Sequence, residues 1–213
     1  MRSDRNEVRA LYRRTARFYD GAVWMYRLTG ASRLRERAID ALRLRPGDTV
    51  VDMGCGTGLN LPLLSRAVGP TGGVIGVDLT DAMLERARRR VAEGGMRNVE
   101  LVEADLTEYR FPPGMRGALA TFALEMVPEY DEVVRRVAAS LEPGGRLVLF
   151  GLKHPERWPT WLIRIGVWLN RPFGVSSDYA SLRPWEAGRR YLREIEYHEH
   201  YAGAAYVWIG EAP

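Results

Sequence analysis

The sequence is short of several things, and each shortage excludes something. It holds a single cysteine, Cys55. No internal disulfide can form, so a reducing, cytoplasmic setting is the simplest expectation. No apolar run approaches the roughly eighteen residues that a membrane-crossing helix needs. The opening MRSDRNEVRALYRR lacks the apolar core of a secretory signal. Repeats, low-complexity tracts and Ser/Gly linkers are also missing, which predicts one domain over residues 1–213. Lysine is almost absent: Lys153 stands alone among 31 basic residues. Codon bias in a GC-rich genome accounts for that as well as any function does.

What is present is ordinary for a folded chain, with 46% hydrophobic and 27% charged residues. The charge is uneven. Residues 1–45 carry twelve Arg against five acids, whereas the remainder carries nineteen basic residues against twenty-two acids. The positive end could meet anionic lipid, nucleic acid or an acidic partner.

Along the chain, residues 5–19 place Val8, Leu11, Tyr12, Thr15, Phe18 and Tyr19 at helical spacing. A second helical stretch runs from about Ala22 to Leu44, with a break near Gly30 and a stop at Pro46-Gly47. Short apolar strands then alternate with helices. Strands are predicted over 48–53, 73–78, 99–103, 118–122 and 146–150, and helices over 59–67, 80–93 and 129–141. A Trp-rich helix at 158–170 and two β-like runs, 191–201 and 204–210, close the chain. The alternation predicts an α/β fold with a doubly wound, mostly parallel sheet of seven strands. The last two strands would form an antiparallel hairpin at its edge.

In such a sheet the ligand sits beyond the strand ends, at the switch point beside the first strand. Asp52-Met-Gly54-Cys-Gly56-Thr-Gly58 lies there. A dinucleotide fingerprint would place its third glycine at 59, which is Leu59, and an acid at 52 would repel a pyrophosphate. No Gly-Lys-Ser/Thr ending exists for a P-loop. The loop therefore suits a cationic nucleoside. Asp78 ends the second strand, where a carboxylate can accept ribose hydroxyls, and Asp105 follows the third, in reach of an adenine amino group. Either acid alone could equally be a turn or cap residue.

The ordered set Val51–Gly58, Gly76-Val-Asp78, Glu103-Ala-Asp105 and Leu141-Glu-Pro-Gly-Gly-Arg-Leu147 resembles class I S-adenosylmethionine-dependent methyltransferases over residues 45–152. The resemblance implies a Rossmann-like methyltransferase core over 46–152, an N-terminal helical lid over 1–45 and a substrate side over 153–213. It implies S-adenosyl-L-methionine as cofactor, held by Asp52, Gly54, Cys55, Gly56, Thr57 and Gly58 around its methionine part. Asp78 would hold the ribose, Asp105 and the Leu106 amide the adenine, and Leu79 and Met83 would pack on the purine. The chain departs from the family around the fourth strand, with Arg116-Gly117 before it and Leu124-Glu125-Met126 after it.

The segment Tyr12–Asp20 resembles the Tyr-rich opening of ubiquinone/menaquinone-type and phosphatidylethanolamine-type methyltransferases, which implies a lid that brings Tyr12 and Tyr19 near the cofactor. The catalytic candidates are His154, able to take a proton near neutral pH, and Tyr19. Glu125, Tyr179, Tyr191 and Tyr197 are candidates for the substrate side; a solvent-facing role is the plainer alternative for Glu125. Cys55 reads more simply as a small buried turn residue than as a nucleophile. His198 and His200 alternate on a strand without a third ligand, so no metal is expected. Trp161, Leu162, Ile165, Trp168 and Leu169 share one helical face, which suits either a core-facing helix or an anionic membrane surface.

The expected reaction is in-line N-methylation of a phospholipid amine headgroup such as phosphatidylethanolamine. The closest alternative is a quinone or other small-molecule acceptor. A cofactor-binding sensor without turnover remains the rival from another class. No Asn/Asp-Pro-Pro-aromatic motif follows the fourth strand, so nucleic acid is not an expected substrate.

Overall fold

The computed structural model describes residues 30–156, 158–170 and 182–213. The predicted helix at 5–19, the start of the one at 22–44 and the lid they would form lie outside the described residues, as do Tyr12, Tyr19 and Tyr179. Strands β1 (Thr49–Met53), β2 (Gly73–Asp78), β3 (Val99–Glu103), β4 (Met115–Thr121), β5 (Leu141–Leu152), β6 (Arg193–His200) and β7 (Ala205–Glu211) make one sheet. Their order is β3-β2-β1-β4-β5-β7-β6. Strands β1 to β5 pair in parallel, β7 runs antiparallel to β5, and β6 runs antiparallel to β7. The doubly wound sheet with a C-terminal hairpin is as the sequence predicts.

Helices α1 (Ala31–Asp40), α2 (Leu61–Val68) and α3 (Asp81–Glu93) cover one face, and α4 (Tyr130–Ser140) and α6 (Pro184–Tyr191) the other. Helix α5 (Thr160–Asn170) follows β5. The faces are set by strand alternation: in β1, Val50 joins the core under α1 and α2 while Val51 joins the core under α4. A strand buried on both faces reads as a continuous apolar run, which is why Thr49–Met53 is legible. The chain runs outward from β1 to β3, then returns to β4 on the other side of β1. The crevice this opens at the ends of β1 and β4 is the switch point.

Four elements differ most from expectation; one is β5, which spans Leu141–Leu152 where the sequence predicts 146–150. Helix α1 ends at Asp40, not Leu44, because Arg43 turns to φ 52° and brings Leu42 into full burial. The orphan carbonyl of Ala41 is taken by Arg146 from β5 at 2.9 Å. Strand β4 starts three residues early at Met115, which pairs with Leu141 across a bulge before Gly117. Helix α6 has no counterpart in the sequence reading; it carries Pro184 in its first turn and Gly188 in its interior, and both look like loop signals.

Arg146 is 6% exposed and forks onto the Glu211 carboxylate at 3.0 and 2.9 Å while reaching the Ala41 carbonyl. It ties helix α1, β5 and β7 together. Truncating it leaves the Ala41 carbonyl unpaired and the Glu211 carboxylate with Arg193 alone, so Arg146→Ala should lower the unfolding free energy by about 1–3 kcal/mol. A urea titration of parent and variant at neutral pH measures this.

Candidate active site

The glycine loop is shaped by what surrounds it. Gly54 and Gly56 adopt φ values of 64° and 55°, in the left-handed region where a side chain is strained. A Cβ on Gly54 would also stand 2.5 Å from the Ala123 Cβ, so the loop and the segment after β4 touch only because residue 54 has no side chain. The Cys55 amide bonds the Val77 carbonyl at 3.0 Å, pinning the loop to β2. From α3, the Arg90 guanidinium holds the Thr57 carbonyl.

The loop, the end of β2, the turn after β3 and the end of β4 enclose a cleft that opens to solvent. Gly54 and Gly56 form one wall, and Leu79, Met83 and Leu106 make an apolar seat beside Asp78 and Asp105. Thr121, Phe122, Ala123, Met126 and Val127 form the opposite wall. That mixture of apolar walls and two acids suits a nucleoside.

The acids are held differently. Asp78 accepts the Gly56 amide at 2.9 Å on one oxygen and the Thr80 amide at 2.9 Å on the other. These two amides and the Thr80 hydroxyl fix its orientation. Burial raises its pKa from the usual range, with both amides opposing. Asp105 accepts the Thr107 amide and hydroxyl at 2.8 and 2.7 Å, so it is a turn residue and a cleft residue at once. Arg136 of α4 braces that turn, bonding the Thr107 carbonyl at 2.5 Å and lying 5.6 Å above the Phe111 ring.

Asp52 is fully buried behind the loop. One oxygen accepts the Asn60 amide group at 2.9 Å, and that amide also reaches Thr121 on the cleft wall at 3.2 Å. Asn60 precedes α2 but makes no side-chain cap, its backbone being already helical at φ −83° and ψ −27°. The other oxygen of Asp52 has no hydrogen-bond partner among the described residues. Burial pushes its pKa up to about 7, against the pull of Asn60 and Arg35. A buried orphan acceptor next to an acidic cleft fits a cationic ligand.

Of the sequence-derived cofactor residues, Gly54, Gly56, Asp78, Leu79, Met83, Asp105 and Leu106 come together on the cleft. Asp52, Cys55, Thr57 and Gly58 do not line it and lie behind or within the loop. The Cys55 thiol packs over Gly76, and burial pushes its pKa well up, so it is no thiolate nucleophile. Thr80, Ala104, Thr121 and the Phe122–Val127 wall were not anticipated as cofactor residues; their signal is position, at the ends of β2, β3 and β4.

The substrate-side candidates are also placed. Glu125 is not solvent-facing: it is buried and turned away from the cleft, accepting the Tyr206 hydroxyl at 2.9 Å. Tyr191 donates to Asp131 at 3.0 Å, and Tyr197 packs on Trp185 and Tyr206; neither lines the cleft. His154 is half-buried two residues past β5, outside the cleft lining. His198 and His200 lie on edge strand β6, and no group of metal-ligating side chains occurs among the described residues.

The acids make the site sensitive to pH in a defined direction. Below about pH 7 the native Asp52 keeps a proton that the unfolded chain releases above its usual 3.8. Stability of the free protein should therefore decline as pH rises across that window and level off above it. The ammonium group that S-adenosylhomocysteine shares with the cofactor is favoured by the carboxylate form, so its binding should weaken below about pH 7, by up to about tenfold per pH unit. Titration calorimetry at several pH values should show that slope below about pH 7 in the parent and no slope there in Asp52→Asn.

Comparison with known proteins agrees with this geometry. Residues 50–145 match the family model described as a methyltransferase domain. The chain is 32% identical over 128 residues to a demethylmenaquinone methyltransferase of Listeria monocytogenes, covering 60% of this chain and 54% of that protein. It is 36% identical over 129 residues to a ubiquinone/menaquinone biosynthesis C-methyltransferase of Pseudomonas putida, covering 59% and 50%. The chain thus spans about half the length of the curated relatives it matches. Among solved structures, an S-adenosylmethionine-dependent methyltransferase from Aquifex aeolicus superposes with a TM-score of 0.63 at 22% identity, over 84% of this chain and 89% of that one. Residues 50–145 thus match a methyltransferase domain, and the described sheet shares the fold of that solved methyltransferase.

Proposed function

We propose that the protein transfers the methyl group of S-adenosylmethionine to a small acceptor of the quinone class. The observation that carries this reading is the 32–36% identity, over 128 and 129 residues, to methyltransferases named for menaquinone and ubiquinone. The relatives favour the quinone alternative over the phospholipid amine that the sequence first suggests.

When bound, the cofactor supplies an electrophilic methyl group on a sulfonium. Asp78, preset by two amides, would receive the ribose hydroxyls, and Leu79, Met83 and Leu106 would seat the purine beside Asp105. Asp52 would balance the positive charge of the methionine part with its unpartnered oxygen. The Phe122–Val127 wall presents mainly apolar groups and keeps water from the transfer path. The chain's contribution is alignment and water exclusion, and the acceptor gives up one proton as its new bond to the methyl carbon forms. His154, beyond the end of β5 and outside the cleft lining, is the sequence's candidate to take that proton, and Tyr19, outside the described residues, is its candidate to meet the cofactor.

A quinone with a polyisoprenoid tail is met at a lipid surface. Trp161 and Ile165 stand 63% and 45% exposed on α5, with exposed Arg164 between them, which suits an acceptor delivered there. No described helix is long and apolar enough to cross a membrane.

Labelled S-adenosylmethionine should be offered with demethylmenaquinol and, separately, with phosphatidylethanolamine vesicles. Label is expected in the quinol fraction. Label in phosphatidylethanolamine would replace the quinone reading with headgroup methylation. Tight cofactor binding with no label in any acceptor would favour a sensor.

A further inference from the structure

Glu125 is a buried acid that the methyl-transfer scheme leaves unused. It sits in the short 3₁₀ turn Leu124–Met126, between Ala123 and Met126, which both line the cofactor cleft. Its own side chain points the other way, toward the ends of β5 and β7. Tyr206 of β7 donates its hydroxyl at 2.9 Å, and the Leu152 amide at the end of β5 adds a hydrogen bond. Gly151 pairs with Tyr206 in the sheet, and a Cβ there would lie 1.6 Å from the Glu125 carboxyl oxygen. The space for this carboxyl therefore exists because residue 151 has no side chain. Tyr206 is fully buried and braced by Trp185 at 4.5 Å between ring centroids.

The wall needs such an anchor. It begins at Phe122, whose φ of 54° is unfavourable for a bulky residue. A strained turn persists only when its surroundings hold it. The Phe122 amide bonds the Phe150 carbonyl at 2.7 Å on the near side, and Glu125 is the side-chain tie on the far side.

We propose that Glu125 is a positioning residue for the cofactor: through Tyr206 and the end of β5 it holds the Ala123–Val127 wall in place. Among the described residues, the polar groups acting on its carboxyl are the Tyr206 hydroxyl and the amides of Leu152 and of Glu125 itself; Tyr197 of β6 and Tyr130 of α4 act on Tyr206 in turn. No cation faces it among them, and burial raises its pKa to about 7. Loss of its proton puts an uncompensated charge in a dry site, and the wall gives way before the sheet does. The inference rests on the cleft's being the cofactor site and is independent of the acceptor.

The test is calorimetric binding of S-adenosylhomocysteine to parent, Glu125→Gln, Glu125→Ala and Tyr206→Phe, from about pH 6 to about pH 8.5, with melting temperatures alongside. Parent affinity should fall severalfold above about pH 7, opposite in direction to the effect of Asp52. Glu125→Gln keeps the shape and the tie without the charge, so it should bind within about twofold of the parent near pH 6 and lose the alkaline decline. Glu125→Ala and Tyr206→Phe should bind about three- to tenfold more weakly while remaining folded. If a folded Glu125→Ala or Tyr206→Phe binds like the parent, or Glu125→Gln keeps the alkaline decline, the inference is overturned. If the parent itself does not bind the probe, the cofactor assignment falls instead.

Discussion

A carboxylate sealed from water at the end of the central strand is the constraint around which this site is arranged. Asp52 cannot be left both charged and unpaired without large cost, so its neighbours are committed to it. Asn60 donates its side-chain amide to it, and the same amide group reaches Thr121, joining the end of β1 to the end of β4 across the switch point. The glycine loop passes in front of it, and one carboxyl oxygen is left over. A positive ligand resolves that imbalance and a polyphosphate would aggravate it, so the choice between ligand classes is already present in the unliganded electrostatics.

Arginine does most of the bracing around that centre, and it does so through backbone carbonyls. Arg90 holds Thr57 in the glycine loop, Arg136 holds Thr107 in the turn of Asp105, and Arg146 holds Ala41 at the end of α1. A planar guanidinium with several donors can serve a carbonyl and a second partner together: Arg146 also forks onto Glu211, and Arg136 also lies over Phe111. In a chain with one lysine, this is a structural use of arginine separate from the basic N-terminal charge that composition makes conspicuous.

What was legible in the sequence was local. Thr49–Met53 and Gly73–Asp78 are interior parallel strands with apolar runs that end at a glycine or an acid, and the loop and both strand-end acids fall where spacing puts them. What was not legible depends on distant partners. Helix α6 looks like a loop because Gly188 must be small beneath the Trp208 ring, a contact twenty residues away in sequence. Glu125 looks like a surface residue because its burial needs Gly151 and Tyr206, which no local pattern links to it. The early start of β4 is hidden by the bulge that lets Met115 meet Leu141.

That division also bears on how relatives can share one half of the site and differ in the other. Every residue lining the cleft, from Gly54 to Val127, lies within the 50–145 stretch that matches the methyltransferase family. The cofactor half is set by backbone amides, turns and strand ends, which tolerate much side-chain change. Glu125 lies inside that stretch, but the groups that receive it, Gly151, Leu152 and Tyr206 with Trp185 behind, all lie outside it. The wall is thus built from a segment inside the family match and seated on residues outside it. Changes beyond residue 145 can shift that wall without touching the glycine loop or its acids, so one cofactor frame can serve acceptors of different shape.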